Sequence, residues 1–405
     1  MSFLELHPVL VVSVIKVAVL VFVLMTAIAY ITWFERKAVA RMQSRWGPYR
    51  AGPHGLLQPL ADGVKFLFKE DFTPGGVDKF VYFLAPFLAL ALSLLTIAVI
   101  PFGPEPIEIL GQKTPLGIAD INIGLLFLFA VTSLSVYSVA LGGWASNSKY
   151  PLLGGLRSSA QMISYELSMT LSVVGILLMT GTFSLREIVN AQEGFYFGFI
   201  PRWNIFAAPF PQWLGFMIFF TAAVAETNRL PFDLAEAETE LVAGFHTEYA
   251  SFKFAMFFMA EYASMLTVCF VTSILFLGGW HSPFPANPVT PYLPTVLFAG
   301  LGLYVIHDGL RYETVFGRIV LPVLGLVMAV LGAVFAVPAV NAFIQPTFWL
   351  LTKVFFFLFI YIWVRGTLPR FRYDQLMALG WKLMLPLAVA NVVLTAAAML
   401  WAGGR

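Results

Sequence analysis

Cysteine is almost absent from this chain, and its absence excludes several kinds of redox site. The one cysteine, Cys269, lies in an apolar run, so the chain has no internal disulfide and no cysteine-ligated iron–sulfur cluster. The five histidines show neither helical pairing nor metal-binding spacing, and no glycine-rich nucleotide-binding motif occurs. Any redox chemistry here must therefore use the cofactors of a partner protein.

Charge is the second thing that the chain lacks. Charged residues make up 11% of its 405 residues and hydrophobic residues 59%, a composition typical of integral membrane proteins. Apolar runs long enough to cross about 30 Å of hydrocarbon recur along the chain, and no polar stretch is long enough for a soluble domain. We therefore predict an all-α, polytopic transmembrane helical bundle that forms a single domain, residues 1–405. The ten predicted segments are 8–32, 80–101, 120–141, 159–181, 212–226, 252–277, 292–306, 319–340, 346–364 and 383–401.

The positions of the basic residues predict the orientation. If the N-terminus lies on the outer side, most of the 24 Lys and Arg residues fall in the inner links between segments. Inner loops of membrane proteins are enriched in these residues, so the pattern favours an outer N-terminus.

Between the first two segments lies an amphipathic stretch, GLLQPLADGVKFLFKED, too short and too charged to span. At helical spacing its apolar residues share one side, while Asp62 and Lys65 share the other. We expect a helix along the inner interface. Two interpretations stay open: a plain surface helix, or one whose polar face meets a partner or ligand.

Acidic residues concentrate between positions 226 and 262. Glu226 and Glu261 lie in apolar runs, as does Glu166 further upstream, and a carboxylate there is costly unless it is paired, hydrated or protonated. Hydrated carboxylates at similar depth are typical of proton relays. The other acids of this stretch fit a solvated loop as well; they are Asp233, Glu236, Glu238, Glu240 and Glu248.

Four long blocks resemble the family of the H-type membrane subunit of respiratory complex I, the bacterial form of NADH dehydrogenase subunit 1. They begin ERKAVARMQSRWGPYRAGPHG, GWASNSKYPLLGGLRSSAQ, AETNRLPFDLAEAETELVAGFHTEYAS and RGTLPRFRYDQ, and they occur in the family's order. The resemblance implies a quinone-access tunnel that leads to an iron–sulfur cluster in a neighbouring protein of the complex. The residues that match the tunnel region are Glu35, Arg36, Arg45, Asp62 and Lys65.

The resemblance also implies a proton-coupling role for the acids. Glu166, Glu226 and Glu261 match the family's chain of acids, and the loop acids Asp233, Glu236, Glu238, Glu240 and Glu248 match its coupling loop. The implied substrate is ubiquinone or menaquinone, with iron–sulfur clusters, FMN and NADH on partner subunits. The implied partners are the hydrophilic-arm subunits and the small and antiporter-like membrane subunits, in the bacterial inner membrane.

Three other functions remain open at this point. Related membrane subunits serve hydrogenases and other donor-linked quinone reductases. Intramembrane acids also occur in stand-alone ion transporters, although the internal repeat common in transporters is not found here. A purely structural anchor would leave Glu166, Glu226 and Glu261 unexplained.

Residues 281–345 depart from the family's pattern, which joins 1–280 to 346–405 almost directly. Because the following basic block has to stay inside, we expect an even number of added crossings, that is, a hairpin at about 292–306 and 319–340. The total is then about ten helices, eight of them the family core, although the first added run is short enough to be re-entrant. Gly325, Ala329 and Ala333 recur every fourth residue, which permits close helix packing.

Overall fold

Helices account for nearly all the regular structure in the computed structural model, which describes residues 8–104, 107–109, 112–233, 242–285 and 287–403. The helices are α1 (Pro8–Met42), α2 (Gln58–Phe68), α3 (Lys79–Ile97), α4 (Gly124–Ala145), α5 (Lys149–Thr180), α6 (Leu185–Asn190), α7 (Trp213–Glu226), α8 (Ser251–Phe276), α9 (Leu293–Leu310), α10 (Val315–Phe335), α11 (Pro338–Thr367), α12 (Tyr373–Ala378) and α13 (Leu385–Gly403). Two short antiparallel strand pairs lie in the links: Ile107–Ile109 (β1) with Gln112–Thr114 (β2), and Phe195–Tyr196 (β3) with Ile200–Pro201 (β4).

The predicted all-α membrane bundle is confirmed. Within the described residues, nine helices are long and apolar enough to span a membrane, and α7 is a shorter apolar helix of 14 residues. Each of the ten predicted segments coincides with a helix. Two helices are longer than predicted: α1 runs on to Met42 and α5 begins at Lys149, because the polar residues at these ends continue the helix.

The core of the bundle is aromatic and aliphatic. Its largest fully buried side chains include Tyr165, Phe219, Phe276 and Phe357. Large apolar side chains also cover the outside, among them Phe22 on α1 and Phe80 on α3, which are 72% and 75% exposed. Such an apolar exterior is what a lipid-facing surface requires.

The amphipathic stretch forms α2, as predicted. Its apolar side is open, since Leu60, Leu67 and Phe68 are largely exposed, as expected of a helix that lies in a membrane interface. The carboxyl end of α2 is fixed to the start of α8. There the Ser251 hydroxyl donates to the carbonyl oxygens of Phe66 and Lys69, at 2.9 and 3.0 Å.

Helices α9 and α10 pack against each other as a hairpin. A Cβ atom added to Gly302 would lie 2.6 Å from the carbonyl oxygen of Gly325 and 2.7 Å from the amide nitrogen of Ala329. The small residues spaced by four therefore do allow the backbones to approach closely. The apolar stretch that contains α9, Thr290–Leu310, has 21 residues, enough for a full crossing rather than a re-entrant turn.

Candidate functional site

A cavity of about 640 Å³ opens between α1, α5, α7, α8 and α11. Six of the residues predicted from the sequence line it: Glu35, Arg36, Arg45, Glu226, Asp233 and Glu261. Its apolar wall comes from side chains that include Met162, Phe245, Phe254, Phe257 and Phe258. The cavity thus combines an aromatic surface with charged groups that the chain otherwise places sparingly.

Glu35 is the most enclosed of these acids, since only 3% of the residue is exposed. It accepts hydrogen bonds from the Arg229 guanidinium at 3.1 Å and from the Tyr262 hydroxyl at 2.5 Å, and it pairs with Arg365. A buried carboxylate is tolerated only when its charge is compensated in this way.

Arg229 connects Glu35 to a second acid. Its Nε lies 2.5 Å from a carboxylate oxygen of Glu261, while its Nη1 contacts Glu35. The guanidinium also stands over the ring of Tyr262, 4.2 Å from the ring centroid. A planar group with several fixed donors suits such a bridge, whereas a lysine ammonium carries a single compact charge.

The chain reversal after α7 places Arg229. At the end of the helix Asn228 adopts a left-handed conformation, with φ of 49°, which asparagine tolerates better than most residues. The Gln161 side chain on α5 holds the reversal by donating to the carbonyl oxygens of Ala225 and Phe232, at 2.8 and 3.0 Å. Gln161 is fully buried, so the reversal is fixed from inside the bundle.

Glu226 lies deeper, where the main cavity meets a smaller one of about 50 Å³. Its Oε2 is buried and has no hydrogen-bond partner among the described residues. The hydroxyl groups of Ser135, Thr227 and Ser264 line both cavities beside it. The smaller cavity has room for a few water molecules, which need polar partners of this kind.

Glu166 lies on α5 outside the lining of the main cavity. It accepts a hydrogen bond from the Ser133 hydroxyl on the neighbouring helix α4. Its charge is close enough to Glu226 to influence that group. The three predicted membrane acids are therefore near one another, although only Glu226 and Glu261 line the cavity.

Two ionisable groups of the loop between α7 and α8 also line the cavity. Burial raises the pKa of Asp233 above its usual value, and the Arg370 guanidinium, 3.3 Å away, opposes the shift. Burial lowers the pKa of His246 to about 4, so this imidazole is neutral at physiological pH. Its ring packs against the rings of Phe245 and Phe254.

An ion pair stands at the open end of the cavity. Arg36 on α1 lies 2.7 Å from Asp62 on α2, and Gln58 donates to the same carboxylate at 2.9 Å. Arg45 is exposed and lines the cavity. Lys65 is exposed and outside the lining, so only Asp62 of the predicted polar face is joined to this mouth.

The remaining loop acids do not reach the cavity or are not described. Glu248 lies outside the lining, and its backbone carbonyl accepts a hydrogen bond from the Tyr82 hydroxyl at 2.7 Å. Glu236, Glu238 and Glu240 lie outside the described residues.

Sequence reasoning missed the cationic half of the site. Arg229, Arg365 and Arg370 were counted only as markers of orientation, and Tyr262 was not singled out. Their presence inside the same family-like blocks as the acids was a usable sign, because a buried acid requires a partner.

The site suits an organic molecule with polar oxygens more than a metal ion. Among the described residues, no group of three or more His, Cys, Asp and Glu side chains is arranged to hold a metal ion. Arginine and tyrosine donors beside an aromatic wall can orient carbonyl oxygens while the wall holds an apolar tail.

Comparison with known proteins decides the family. The family model of NADH dehydrogenase matches residues 15–396. The chain belongs to this family. The resemblance drawn from the four sequence blocks is thereby confirmed.

Relatives in the NADH dehydrogenase family match this member nearly end to end, and all three described here are H-type subunits of NADH-quinone oxidoreductase. The chain is similar to the first such protein of Solibacter usitatus (strain Ellin6076), with 51% identity over 390 residues that cover 96% of this chain and 97% of the relative. The second such protein of Koribacter versatilis (strain Ellin345) is 52% identical over 396 residues, 96% of each chain. The corresponding protein of Thermomicrobium roseum (strain ATCC 27502 / DSM 5159 / P-2) is 44% identical over 398 residues, 98% of each chain.

Proposed function

We propose that this chain is the membrane subunit of a proton-pumping NADH:quinone oxidoreductase, that its main cavity admits the quinone, and that its buried carboxylates couple quinone reduction to proton movement. One observation carries the proposal: a single cavity joins the arginine-bearing mouth to the Glu35–Arg229–Glu261 cluster and to Glu226. The names of the relatives support a role in this complex over a stand-alone ion transporter.

The binding step follows from the lining. The phenyl rings of Phe254, Phe257 and Phe258 offer an apolar surface for the isoprenoid tail. Guanidinium groups at the mouth and in the wall, such as Arg36 and Arg370, can donate to the two carbonyl oxygens of the ring.

The chemical step takes place with a partner's iron–sulfur cluster as the electron source. The quinone gains two electrons and two protons and becomes the quinol, so both ring carbonyls end as hydroxyl groups. Negative charge therefore appears on the headgroup before the protons arrive. The chain's own residues respond by supplying positive charge and protons near that headgroup.

The coupling step uses Arg229. While Arg229 pairs with both Glu35 and Glu261, both carboxylates are stabilised in their charged forms. A new anion in the cavity competes for the guanidinium, and an acid that loses this partner takes up a proton. Glu261 and Glu226 then pass the proton change toward Glu166 through the hydroxyl-lined smaller cavity.

The assembly follows from the same proposal. The hydrophilic-arm subunits cover the mouth, and the small and antiporter-like membrane subunits receive the coupling on the side of Glu166. The chain lies in the bacterial inner membrane with its N-terminus outside, as the basic links require.

Replacing Glu226 tests the proposal. Glu226→Gln keeps the side chain's shape but cannot release a proton, so we expect a normally assembled complex with quinone reductase activity and proton transport both lowered about tenfold or more. Glu193→Gln, an exposed change in the link after α6, is the control. Wild-type activity and pumping in the Glu226 variant would refute the coupling role.

A further inference from the structure

The turn between α9 and α10 is attached to the turn that follows α1. The Nε2 of His54 lies 2.7 Å from a carboxylate oxygen of Asp308. The backbone N–H of His54 donates to the Tyr312 hydroxyl at 3.0 Å. The two rings meet edge to face, with centroids 5.0 Å apart. One residue thus makes three separate contacts with the hairpin.

The hairpin side of this contact is held firmly. Tyr312 is 9% exposed, and its carbonyl oxygen accepts a hydrogen bond from Arg318 Nε at 2.7 Å. Gly317 on α10 lies against the Tyr312 ring, where any added Cβ would clash. The tyrosine is therefore a fixed point rather than a mobile surface side chain.

The other side of the contact is the segment 46–57, which has only one short 3-10 turn, Pro53–Gly55. Trp33 on α1 donates to the carbonyl oxygen of His54 at 3.3 Å. A Cβ atom at Gly55 would lie 2.5 Å from the carbonyl oxygen of Pro48, so the turn is tightly folded. A segment with so few internal backbone bonds depends on outside contacts for its order.

This segment connects the two halves of the cavity mouth. Arg45, which lines the cavity, immediately precedes it, and α2 with Asp62 immediately follows it. The Arg36–Asp62 ion pair closes the same arrangement from α1. A shift of the turn would therefore move Arg45 and Asp62 relative to each other.

We propose that Asp308 and Tyr312 are positioning residues, which hold His54 and so fix the geometry of the cavity mouth through which the quinone passes. The inference rests on the proposed function, because the mouth matters to turnover only if a quinone uses it. It gives the segment 281–345 a role beyond contact with lipid. Its lipid-facing side chains, such as Leu303 and Ile319, are mostly exposed and do not take part.

Three variants of the whole complex in its native membranes test the inference. Asp308→Ala removes the ion pair, Tyr312→Phe removes only the acceptor for the His54 N–H, and the exchange of His54→Asp with Asp308→His restores a pair in reverse. His307→Ala changes an exposed residue on the same helix end and serves as the control. The protein composition measured on each complex shows that it has assembled.

The first readout is hydrogen–deuterium exchange of peptides that cover residues 46–57. We expect exchange about fivefold faster or more in Asp308→Ala and in Tyr312→Phe, since each loses one hydrogen bond to the turn. The exchanged pair should return toward the wild-type rate, and His307→Ala should match it. Unchanged exchange in both single variants would overturn the inference.

The second readout is the kinetics of quinone reduction. A displaced mouth should raise KM for the quinone several-fold in Asp308→Ala while kcat stays close to wild type. A normal KM together with faster exchange would also overturn the positioning role and leave a purely structural contact. The cavity variant Arg36→Ala separates the two proposals: if it, too, keeps a normal KM, the proposed quinone route fails, whereas a raised KM in Arg36→Ala alone condemns only the hairpin's role.

Discussion

Glu35 and Arg229 are 194 positions apart in the sequence, and their side chains lie 3.1 Å apart in the middle of the bundle. The contact joins α1 to the reversal after α7, and through Arg229 it reaches Glu261 on α8. Three elements that carry the site are thus connected by one guanidinium.

Replacement of Arg229 should therefore damage both stability and activity. Arg229→Ala leaves two buried carboxylates with one fewer cation, a change that typically costs about 3–5 kcal/mol. We expect a lower thermal midpoint of the purified complex and a loss of most quinone reductase activity. Arg229→Lys should be intermediate, since an ammonium cannot reach both acids with fixed geometry.

The control for this prediction is Arg311→Ala, an exposed arginine at the end of α9. If Arg229→Ala behaves like Arg311→Ala in both thermal stability and turnover, the bridge between Glu35 and Glu261 has no functional part.

Tyr262→Phe tests the hydroxyl alone. The ring beneath Arg229 remains, but Glu35 loses a donor at 2.5 Å, and hydrogen bonds to charged groups contribute about 1.5–3 kcal/mol. We expect a measurable fall in the thermal midpoint and an altered pH profile of quinone reduction. Tyr304→Phe on the exposed face of α9 should change neither; a normal profile in Tyr262→Phe would mean that Glu35 does not depend on this donor.

His246 predicts a pH dependence of stability. Its pKa is lowered to about 4 in the folded chain, against an ordinary value of 6.5, so the unfolded chain binds a proton first as the pH falls. Stability is therefore full above pH 6.5 and is lost between about 6.5 and 4, by about 2 kcal/mol at pH 5.

Thermal denaturation of the complex at pH 7.5 and pH 5 checks this sign. His246→Gln should lose less stability over that interval than the wild type, because its side chain does not titrate. The exposed His307→Gln should behave like the wild type. An equal loss in all three proteins would show that other groups control the acid sensitivity.

The hairpin α9–α10 offers a matched pair of glycines. A Cβ at Gly302 would meet the backbone of Gly325 at 2.6 Å, whereas one at Gly300 would have nothing within 4 Å. We expect Gly302→Ala to separate the two helices and to increase proteolysis of the turn at 311–314. Gly300→Ala should be neutral, and a Gly302 variant with the wild-type digestion pattern would contradict the close packing.

Much of the fold followed from local patterns. Apolar length located every membrane helix, and the spacing of apolar residues located α2, because both depend on residues close in sequence. The ends of α1 and α5 were missed, since their last turns are polar and are held as helix by contacts with the rest of the bundle.

The site was only half predictable. Acids in apolar runs were conspicuous, and Glu226 and Glu261 do line one cavity. Their partners were not, because the pairing of Glu35 with Arg229 and Arg365 depends on how distant helices pack. The contact of Asp308 with His54 is of the same kind, as nothing in either segment indicates the other.

Photolabelling with an azido-quinone in native membranes tests the central claim most directly. We predict labelled peptides from α1 and its following turn, residues 35–62, and from residues 226–262, with labelling reduced by an inhibitor that competes for the quinone site. The label should decrease in Arg36→Ala and persist in Glu193→Gln. Labelling confined to partner subunits at saturating probe would contradict the account, because the cavity that joins Arg36 to Glu226 would then not be the route of the quinone.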